Sequence, residues 1–237
     1  MKKSHYLSIV IPILNEAKNI KLLVPNIIKN NKRKIHKYEI IIVDDCSEDN
    51  INEVVSKLKK KYKKLVFIRR KNKIERDLSQ SCLVGFKKAK YQNILVMDGD
   101  LQHDPRDIIK LYKLFINKKL DIVIGSRNLI KNGRKGLSVT RYLASILIIF
   151  IFNLFLGKKT TDPMTGFFIF KKKIINEVKP RLYGKGFKIL ADIIYSAKKS
   201  YEIKDVDINF NLRKQGGSKM NFKILLQLTF FFFSKIF

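Results

Sequence analysis

The chain has 237 residues and 46% of them are hydrophobic, which is enough to bury the core of one α/β domain and excludes a disordered basic tail. Lys and Arg number 50 against 20 Asp and Glu, which gives a formal charge of +30. Such a charge favours nucleic acid, anionic lipid or phosphorylated substrates as partners. A genome whose composition favours lysine codons would produce much of the same excess. The two cysteines, Cys46 and Cys82, are too few for a disulfide framework.

The N-terminus combines a basic start with a short apolar run, a pattern that signal peptides share. The run over residues 7–14 contains Pro12 and leads into Asn15 and Glu16 instead of a small-residue cleavage site. A first β-strand accounts for this pattern better. We therefore expect the bulk of the protein to stay in the cytoplasm.

Short apolar runs alternate with longer segments of helical periodicity through the first half of the chain. The predicted strands cover residues 7–13, 39–43, 65–68, 94–97 and 122–124. The predicted helices cover residues 16–30, 51–62, 79–90 and 105–117, with Asp49 or Asn50 as the cap of the second and Pro105 in the first turn of the fourth. Near-continuous apolar strands joined by helical crossovers predict a mostly parallel sheet with helices on both faces.

The second half contains two apolar segments, 142–156 and 222–237. The first has no charged residue, and as a helix it would span roughly 22 Å, which is short of the ~30 Å hydrocarbon layer of a bilayer. The second carries Lys223 and Lys235 near its ends. Core helices and interfacial helices are both compatible with these segments, and their density of Phe, Ile and Leu beside lysines favours interfacial helices.

Polar side chains follow four of the predicted strands at the point where each strand ends. They are Asn15 and Glu16, then Asp44, Asp45 and Ser47, then Asp98 and Asp100, and finally Ser126 and Arg127. Open α/β sheets bind their ligands at this carboxyl edge, so we expect these side chains to converge on one site.

The segment after the fourth predicted strand carries the strongest chemical signal. If it is extended, Asp98, Asp100 and Gln102 share one face, because alternate side chains of a strand point the same way. Two carboxylates and an amide oxygen suit Mg²⁺ or Mn²⁺, and Gly99 leaves room for a ligand to approach the backbone. The alternative is an acidic turn that caps the helix at Pro105.

These residues lie in motifs that resemble the family 2 glycosyltransferases of the GT-A fold, namely P-x-x-N-E at 12–16, D-D-x-S at 44–47 and D-x-D at 98–100. Further motifs follow in the order found in polyprenyl-phosphate (dolichyl-phosphate) mannose synthases. They lie at residues 78–86, 98–105, 125–127, 162–168, 186–190 and 213–219. The resemblance therefore extends over residues 7–220.

The resemblance implies a Rossmann-like GT-A domain over residues 1–220, which includes a membrane-interface helix at about 137–157. A second, apolar interface helix would occupy residues 221–237. It also implies the short form of the family, without a C-terminal transmembrane domain. Such a protein would bind the cytoplasmic face of the membrane peripherally or through a separate anchoring subunit.

The resemblance also implies the roles of individual residues. Asp98, Asp100 and Arg127 would be the catalytic group, and Asp100 and Gln102 would hold the metal. The donor would be bound by Pro12, Asn15, Glu16, Asp44, Asp98, Gly99 and Asp100. The phosphates of donor and acceptor would be bound by Arg127, Arg141, Lys188, Arg213 and Lys219.

Three positions differ from the pattern of the family. Asp77 stands where a Gly usually opens the Gly-Leu-Ser loop, and Leu14 replaces a common aromatic or polar residue. Asp192 stands where a Glu is usual. Of these, Asp77 bears most directly on the conformation of a loop at the site and on how the acceptor is handled.

The expected function is metal-dependent transfer of mannose from GDP-mannose to a polyprenyl phosphate, with inversion at the sugar. A lipid phosphate is already an anion and needs no strong base, so His103 is expected to be a hydrogen-bonded turn residue. A hydroxyl acceptor would need a base, and Asp98 or Asp192 would then be candidates.

Three alternatives remain open at the level of sequence. One is a related transferase that uses UDP-glucose or an aminoarabinose donor with undecaprenyl phosphate. Another is an inactive sugar-nucleotide-binding module. The third is a basic nucleic-acid-binding protein, but the chain has no recognisable nucleic-acid-binding motif, so nucleic acid is not an expected partner.

Overall fold

Seven strands form a single sheet in the computed structural model, which describes residues 5–134, 137–186 and 189–211 together with 230, 231 and 235. The strands are β1 (Tyr6–Ile13), β2 (Lys37–Asp44), β3 (Leu65–Arg69), β4 (Asn93–Val96), β5 (Ile122–Ser126), β6 (Phe168–Lys171) and β7 (Ile203–Asp207). Their order across the sheet is β3-β2-β1-β4-β6-β5-β7.

The first four strands are parallel and form the half of the sheet that the sequence predicts. The helices that connect them are α1 (Ala17–Asn31), α2 (Ile51–Lys61) and α3 (Leu78–Lys88), and α4 (Ile108–Asn117) follows β4 after a 3-10 turn over Pro105–Asp107. Every strand and helix predicted for this half is present, with ends that differ by a few residues at most. Seven of the eight residues of β1 are buried, as expected for a strand covered on both faces.

β6 is antiparallel to both of its neighbours, β4 and β5, and was not predicted. Phe168, at its start, pairs with Val96 and Ile124, which lie at or near the ends of β4 and β5. Because β6 runs in the opposite direction, the loop that leads into it begins at the carboxyl edge of its neighbours. Residues 162–167 therefore join the same edge as the polar ends of the parallel strands.

Four further helices complete the described part of the chain: α5 (Leu129–Asn132), α6 (Val139–Leu156), α7 (Lys173–Val178) and α8 (Ile189–Tyr195). One hydrophobic layer joins the sheet to α1, α2 and α4, and the other joins it to α3, α7 and α8. The prediction of helices on both faces of the sheet is confirmed.

α6 occupies the segment for which an interface helix was predicted at about 137–157. Its inner side includes Ile149 and Phe152, which are buried. Its outer side carries Leu143, Leu147, Phe150 and Leu154, each between 58% and 63% exposed. This spacing places the four exposed side chains on one face of the helix.

Across the described residues, no helix is both long enough and apolar enough to cross a bilayer. The helix predicted over 221–237 lies outside the described residues except for Phe230, Phe231 and Lys235. Phe231 is buried against Phe152 of α6 and Ala191 of α8. This point of the C-terminal segment therefore packs on the domain.

Candidate active site

The loops after β1 and β2 are tied together by reciprocal hydrogen bonds. The amide of Asn15 donates to Ser47 Oγ at 2.7 Å, and the amide of Glu48 donates to Asn15 Oδ1 at 2.7 Å. Asn15 has a φ of +58°, a left-handed conformation that Asn tolerates better than most residues. Asn15, predicted to bind the donor, thus shapes the turn after β1.

Asp49 caps a different helix from the one predicted. Its Oδ2 accepts a hydrogen bond from the amide of Ala17, the first residue of α1, at 2.7 Å. Asn50 is the N-cap residue of α2 but makes no side-chain cap bond. The predicted cap position at Asn50 is confirmed, although its side chain makes no cap bond, and Asp49 instead reaches across to the start of α1. Glu16, beside Ala17, accepts from Asn19 Nδ2 at 2.5 Å.

Asp44 ends β2 and is fully buried, with partners inside the protein. Its carboxylate accepts from the amide of Ser47 at 3.2 and 3.3 Å and from the hydroxyl of the same residue. Arg69 Nε lies 3.5 Å from Asp44 Oδ2, and the Arg69 side chain is 36% exposed. Asp44 thus holds both the loop and a cation at the edge where the donor is expected. The sequence analysis did not single out Arg69.

The segment after β4 is bent, so the predicted extended alternation is wrong. Leu101 has a φ of +63°, which breaks the strand geometry between Asp100 and Gln102. The two side chains nevertheless stay together, because the amide of Gln102 donates to Asp100 Oδ1 at 3.1 Å. Both are buried, and Gln102 Nε2 donates to the carbonyl of Asn211 at 3.1 Å.

Asp98 lies against the backbone of Gly166, in the loop that precedes β6. A Cβ added to Gly166 would lie 2.2 Å from Asp98 Oδ1. The carboxylate is one-third exposed, so it remains accessible to a ligand. Gly166 is therefore required by the position of Asp98, and the motif around residue 166 could have indicated this.

His103 is buried between two aromatic rings, those of Phe167 and Phe210, with both centroids 5.1 Å away. In the described structure neither ring nitrogen has a hydrogen-bond partner. Nε2 lies 3.4 Å from Asp98 Oδ2. The expectation of a hydrogen-bonded turn residue is wrong for the side chain, which instead packs beside the site.

Arg127 forms a two-point ion pair with Asp162, from the loop before β6. Its Nε and Nη2 each lie 2.7 Å from a carboxylate oxygen, and its amide donates to Asp162 Oδ2 at 3.1 Å. Burial alone would lower the pKa of Arg127, but the charge and hydrogen bonds of Asp162 and the charge of Asp98 outweigh it, so the pKa is raised. Arg127 remains a cation beside Asp98.

The loop before β6 is itself fastened to β7. Asp205 accepts from Thr160 Oγ1 at 2.8 Å and from both the amide and the hydroxyl of Thr161 at 2.7 Å. Thr161 also shares a hydrogen bond of 2.7 Å with Ser126 at the end of β5. These contacts set the position of Asp162 and, through it, that of Arg127.

The buried carboxylate of Asp192 on α8 is fully engaged in structural contacts. It accepts from the amides of Tyr183 and Gly184 at 3.0 and 2.7 Å. Lys235 Nζ lies 2.6 Å from it, and both side chains of this pair are only 3% exposed. Such a group is poorly suited to act as the base for a hydroxyl acceptor.

Pro12 and Gly99 pack within the core at the same edge. Pro12 is a buried residue of β1 and pairs with Val43 of β2. A Cβ at Gly99 would lie 2.8 Å from Ile13 Cγ2, so packing on β1 already requires a glycine there. Lys188, Arg213 and Lys219 lie outside the described residues, as does the side chain of Arg141 in α6.

The described residues include no group of three or more His, Cys, Asp or Glu side chains that could hold a metal ion by themselves. Asp100 and Gln102 offer one carboxylate and one amide oxygen. Mg²⁺ commonly binds through one or two carboxylates and completes its coordination with substrate phosphates and water. This pair therefore fits a divalent ion that is shared with a diphosphate.

Known proteins resemble the chain over most of its length. The Pyrococcus furiosus protein named dolichol-phosphate mannosyltransferase is 36% identical over 223 residues, covering 93% of this chain, and the chain spans 60% of that relative. The Saccharomyces cerevisiae protein of the same name is 32% identical, covering 93% of this chain and 83% of the relative. A dodecaprenyl-phosphate galacturonate synthase of Rhizobium johnstonii is 28% identical, covering 94% and 65%.

Solved structures agree on the fold. Glucosyl-3-phosphoglycerate synthase from Mycobacterium tuberculosis in complex with UDP superposes with a TM-score of 0.71 at 14% identity, over 99% of this chain and 81% of that one. Its complex with Mn²⁺, UDP-glucose and phosphoglyceric acid gives 0.68 at 14% identity, over 98% and 78%. The model of "Glycosyl transferase family 2" matches residues 8–179. The chain has the GT-A fold and belongs to the family 2 glycosyltransferases.

Proposed function

We propose that the chain transfers a sugar from a nucleotide-sugar donor to a polyprenyl phosphate, with GDP-mannose as the favoured donor and inversion at the sugar. The observation that carries this proposal is the meeting of Asp98 with Gly166 and the Arg127–Asp162 pair at one sheet edge, beside Asp100 and Gln102. Relatives at 31–36% identity are named dolichol-phosphate mannosyltransferase, which supports the mannose donor and the lipid acceptor.

The donor would lie across the ends of β1, β2 and β4. Glu16 and Asp44 are at the nucleoside end, where Arg69 adds a partly exposed cation. Asp98 is at the sugar end. Asp100 and Gln102 would hold Mg²⁺ or Mn²⁺, and such an ion would stabilise the charge that develops on the leaving diphosphate. The Mycobacterium tuberculosis enzyme of the same fold, crystallised with Mn²⁺ and UDP-glucose, supports a divalent ion by analogy.

The acceptor phosphate would approach from the side of β5 and the loop before β6. Asp162 occupies one edge of the Arg127 guanidinium, which leaves the donors of its other edge for an anion. Because the phosphate is already ionised at neutral pH, the protein needs to orient it and not to deprotonate it. A single displacement by this oxygen inverts the configuration at the sugar carbon.

The outer face of α6 suits a membrane surface. Its four exposed apolar side chains would enter the interface, where the long lipid of the acceptor resides. The excess of lysine in the chain would add attraction to anionic headgroups. We therefore place the protein at the cytoplasmic face of the membrane as a peripheral protein, with a separate anchoring subunit as a further means of attachment.

A donor screen tests the proposal. The purified chain, polyprenyl phosphate in detergent and Mg²⁺ or Mn²⁺ are incubated with GDP-mannose, UDP-glucose or UDP-galacturonic acid, and lipid products are identified by mass spectrometry. We expect a polyprenyl-phosphate hexose from GDP-mannose, none with chelator, and none from Asp100→Ala. The configuration of the product is read by NMR, and a retained anomer would refute the single displacement.

A different donor is the second candidate. The Rhizobium johnstonii relative is named for galacturonate, so relatives of similar identity differ in the sugar that they are named for. Product from UDP-glucose or UDP-galacturonic acid, with none from GDP-mannose, would remove the mannose assignment and keep the lipid phosphate. Salt-sensitive RNA binding without any sugar transfer would instead favour a nucleic-acid-binding protein.

A further inference from the structure

Asp77, which stands where the family usually has Gly, bonds to three separate parts of the structure. Its backbone has φ −159° and ψ 127°, an extended conformation that needs no glycine. Its amide donates to Asp45 Oδ2 at 2.7 Å, and its Oδ1 accepts from the amide of Gln80 at 3.0 Å, which caps α3. Its Oδ2 accepts from the amide of Gly186 at 2.5 Å.

The segment 183–186 is fastened on both sides. On one side the amide and hydroxyl of Ser79 donate to the carbonyl of Gly186 at 3.0 and 2.8 Å, and Gln80 Nε2 donates to the carbonyl of Gly184 at 2.6 Å. On the other side Asp192 accepts from the amides of Tyr183 and Gly184. Gly184 and Gly186 have φ values of +68° and +85°.

This segment connects the lipid-facing helix to the site. Tyr183 packs with Phe152 of α6 and Phe231 in one apolar cluster. At its other end, Gly186 is bonded to Asp77. Asp77 in turn bonds to Asp45 at the end of β2. Burial raises the pKa of the Cys82 thiol on α3 well above its usual value, and the charges of Asp98, Asp77 and Asp45 add to that effect.

Lys185 is the charged residue of this segment. It is exposed and lies between the two glycines. Among the described residues no hydrogen bond or ion pair engages its ammonium group, whereas Lys171, Lys199 and Lys235 pair with carboxylates. Tyr183, two residues before Lys185, packs in the cluster that contains Phe152 of α6, so this cation follows directly on a contact with the helix that we propose to face the lipid.

We infer that Asp77 is a positioning residue, which fastens the segment 183–186 so that Lys185 binds the phosphate of the lipid acceptor. This inference rests on the proposed function for the identity of the acceptor. The carboxylate supplies two acceptor atoms, one for the helix cap and one for Gly186. A Gly at position 77 supplies neither of them, so these two contacts need an acid there, in addition to the bonds that Ser79 and Gln80 make to the segment.

Substitutions at position 77 separate the two contacts. Ser and Asn both cap helices well, but Ser is too short to reach Gly186 and Asn has only one acceptor oxygen. In Asp77→Ser and Asp77→Asn we expect faster hydrogen exchange at the Gly186 amide. We also expect KM for polyprenyl phosphate to rise about tenfold, as when one charge-assisted hydrogen bond is lost. KM for the donor should stay unchanged.

Lys185→Gln tests the cation, and Lys198→Gln, at another exposed lysine, is its matched control. We expect Lys185→Gln to weaken equilibrium binding of polyprenyl phosphate about tenfold, the loss of one hydrogen bond between charged groups, without altering exchange at Gly186. Lys198→Gln should change neither. If Asp77 serves only as a helix cap, Asp77→Ser will match the wild type in both exchange and KM, and the inference is then overturned.

The binding measurement keeps this inference distinct from the proposed function. A wild-type chain that binds polyprenyl phosphate through Lys185 but transfers no sugar would refute the transfer and support the inference. A chain that transfers sugar normally after Lys185→Gln, with unchanged affinity for polyprenyl phosphate, would refute the inference and leave the proposed function standing.

Discussion

The backbone of Gly166 and the carboxylate of Asp98 are in direct contact, so closely that a methyl group on Gly166 would overlap both oxygens of Asp98. The two residues are far apart in sequence and come from strands that run in opposite directions. Their contact holds together the part of the site that is expected to bind the donor sugar and the loop that carries Asp162.

Gly166→Ala should displace Asp98 and reduce kcat/KM about a hundredfold, the loss typical of a reacting group misplaced by ~1 Å. The φ of Gly166 is not in the left-handed region, so the substitution tests steric overlap and not backbone strain. Gly133→Ala is the opposite control, because Gly133 has a φ of +68° and open space around it. It should lower the melting temperature and spare transfer; equal activity of both variants would contradict the role of the contact.

Asp162→Asn should destabilise the fold as well as slow transfer. The substitution removes the carboxylate that is paired with the buried guanidinium of Arg127, at a cost of about 3 kcal/mol in the free energy of unfolding. Urea denaturation measures this cost. Glu53→Gln makes the same chemical change in the exposed Glu53–Lys57 pair and should have no measurable effect. A stability loss no larger than that of the control would mean that Arg127 finds another partner.

Leu147→Glu combined with Phe150→Glu should reduce binding to vesicles that contain anionic lipid by more than tenfold, because each side chain contributes about 1.5–3 kcal/mol when it leaves water. Ile74→Glu is the matched control, since Ile74 is 95% exposed and belongs to the loop between β3 and α3. Cosedimentation with vesicles gives the affinity. If the double variant binds the vesicles as tightly as the wild type does, and only added salt releases it from them, the lysine charges and not α6 make the contact with the membrane.

Asp121 should contribute to the acid sensitivity of the fold. Burial acts to raise the pKa of this carboxyl, but its hydrogen bonds with Lys171 and the amide of Glu202 and the charge of Lys171 outweigh burial and lower it. A lowered pKa gives stability that is present above the unfolded value of about 3.9 and is lost as pH falls through the folded value.

Asp121→Asn should therefore cost about 1 kcal/mol near neutral pH, and this difference from the wild type should disappear in acid. Urea denaturation across the acid range measures both proteins. A difference that stays constant with pH would show that the carboxylate charge is not responsible, and that the loss comes from packing or from the neutral hydrogen bonds alone.

The first half of the fold could be predicted because each of its elements carries its own local signal. Strands such as β1 and β2 are continuous apolar runs, and the helices between them have an apolar stripe. β6 has only four residues, and β7 is an edge strand with the half-exposed sequence IKDVD. Their place in the sheet, and the reversed direction of β6, are decided by pairing with distant strands that no local pattern encodes.

The residues of the candidate site were likewise predictable only in part. The acidic residues at strand ends were predicted because they belong to motifs and because the ends of parallel strands meet at one edge of the sheet. The partners that hold them were missed, since Arg127 pairs with a residue 35 positions away and Asp77 with one 109 positions away. The bend at Leu101 was missed as well, because a left-handed leucine has no signature in the sequence. Arg69 looked like any other surface cation.

The reversed direction of β6 has a consequence for how such enzymes diversify. Residues 157–159 lie between α6 and the fastened stretch 160–162 and belong to no strand, so residues can be inserted or removed there while the paired strands keep their register. The end of the site that we propose for the nucleotide is built before this point in the chain. The side that we propose for the acceptor can therefore be remodelled in evolution while the side proposed for the nucleotide is inherited unchanged.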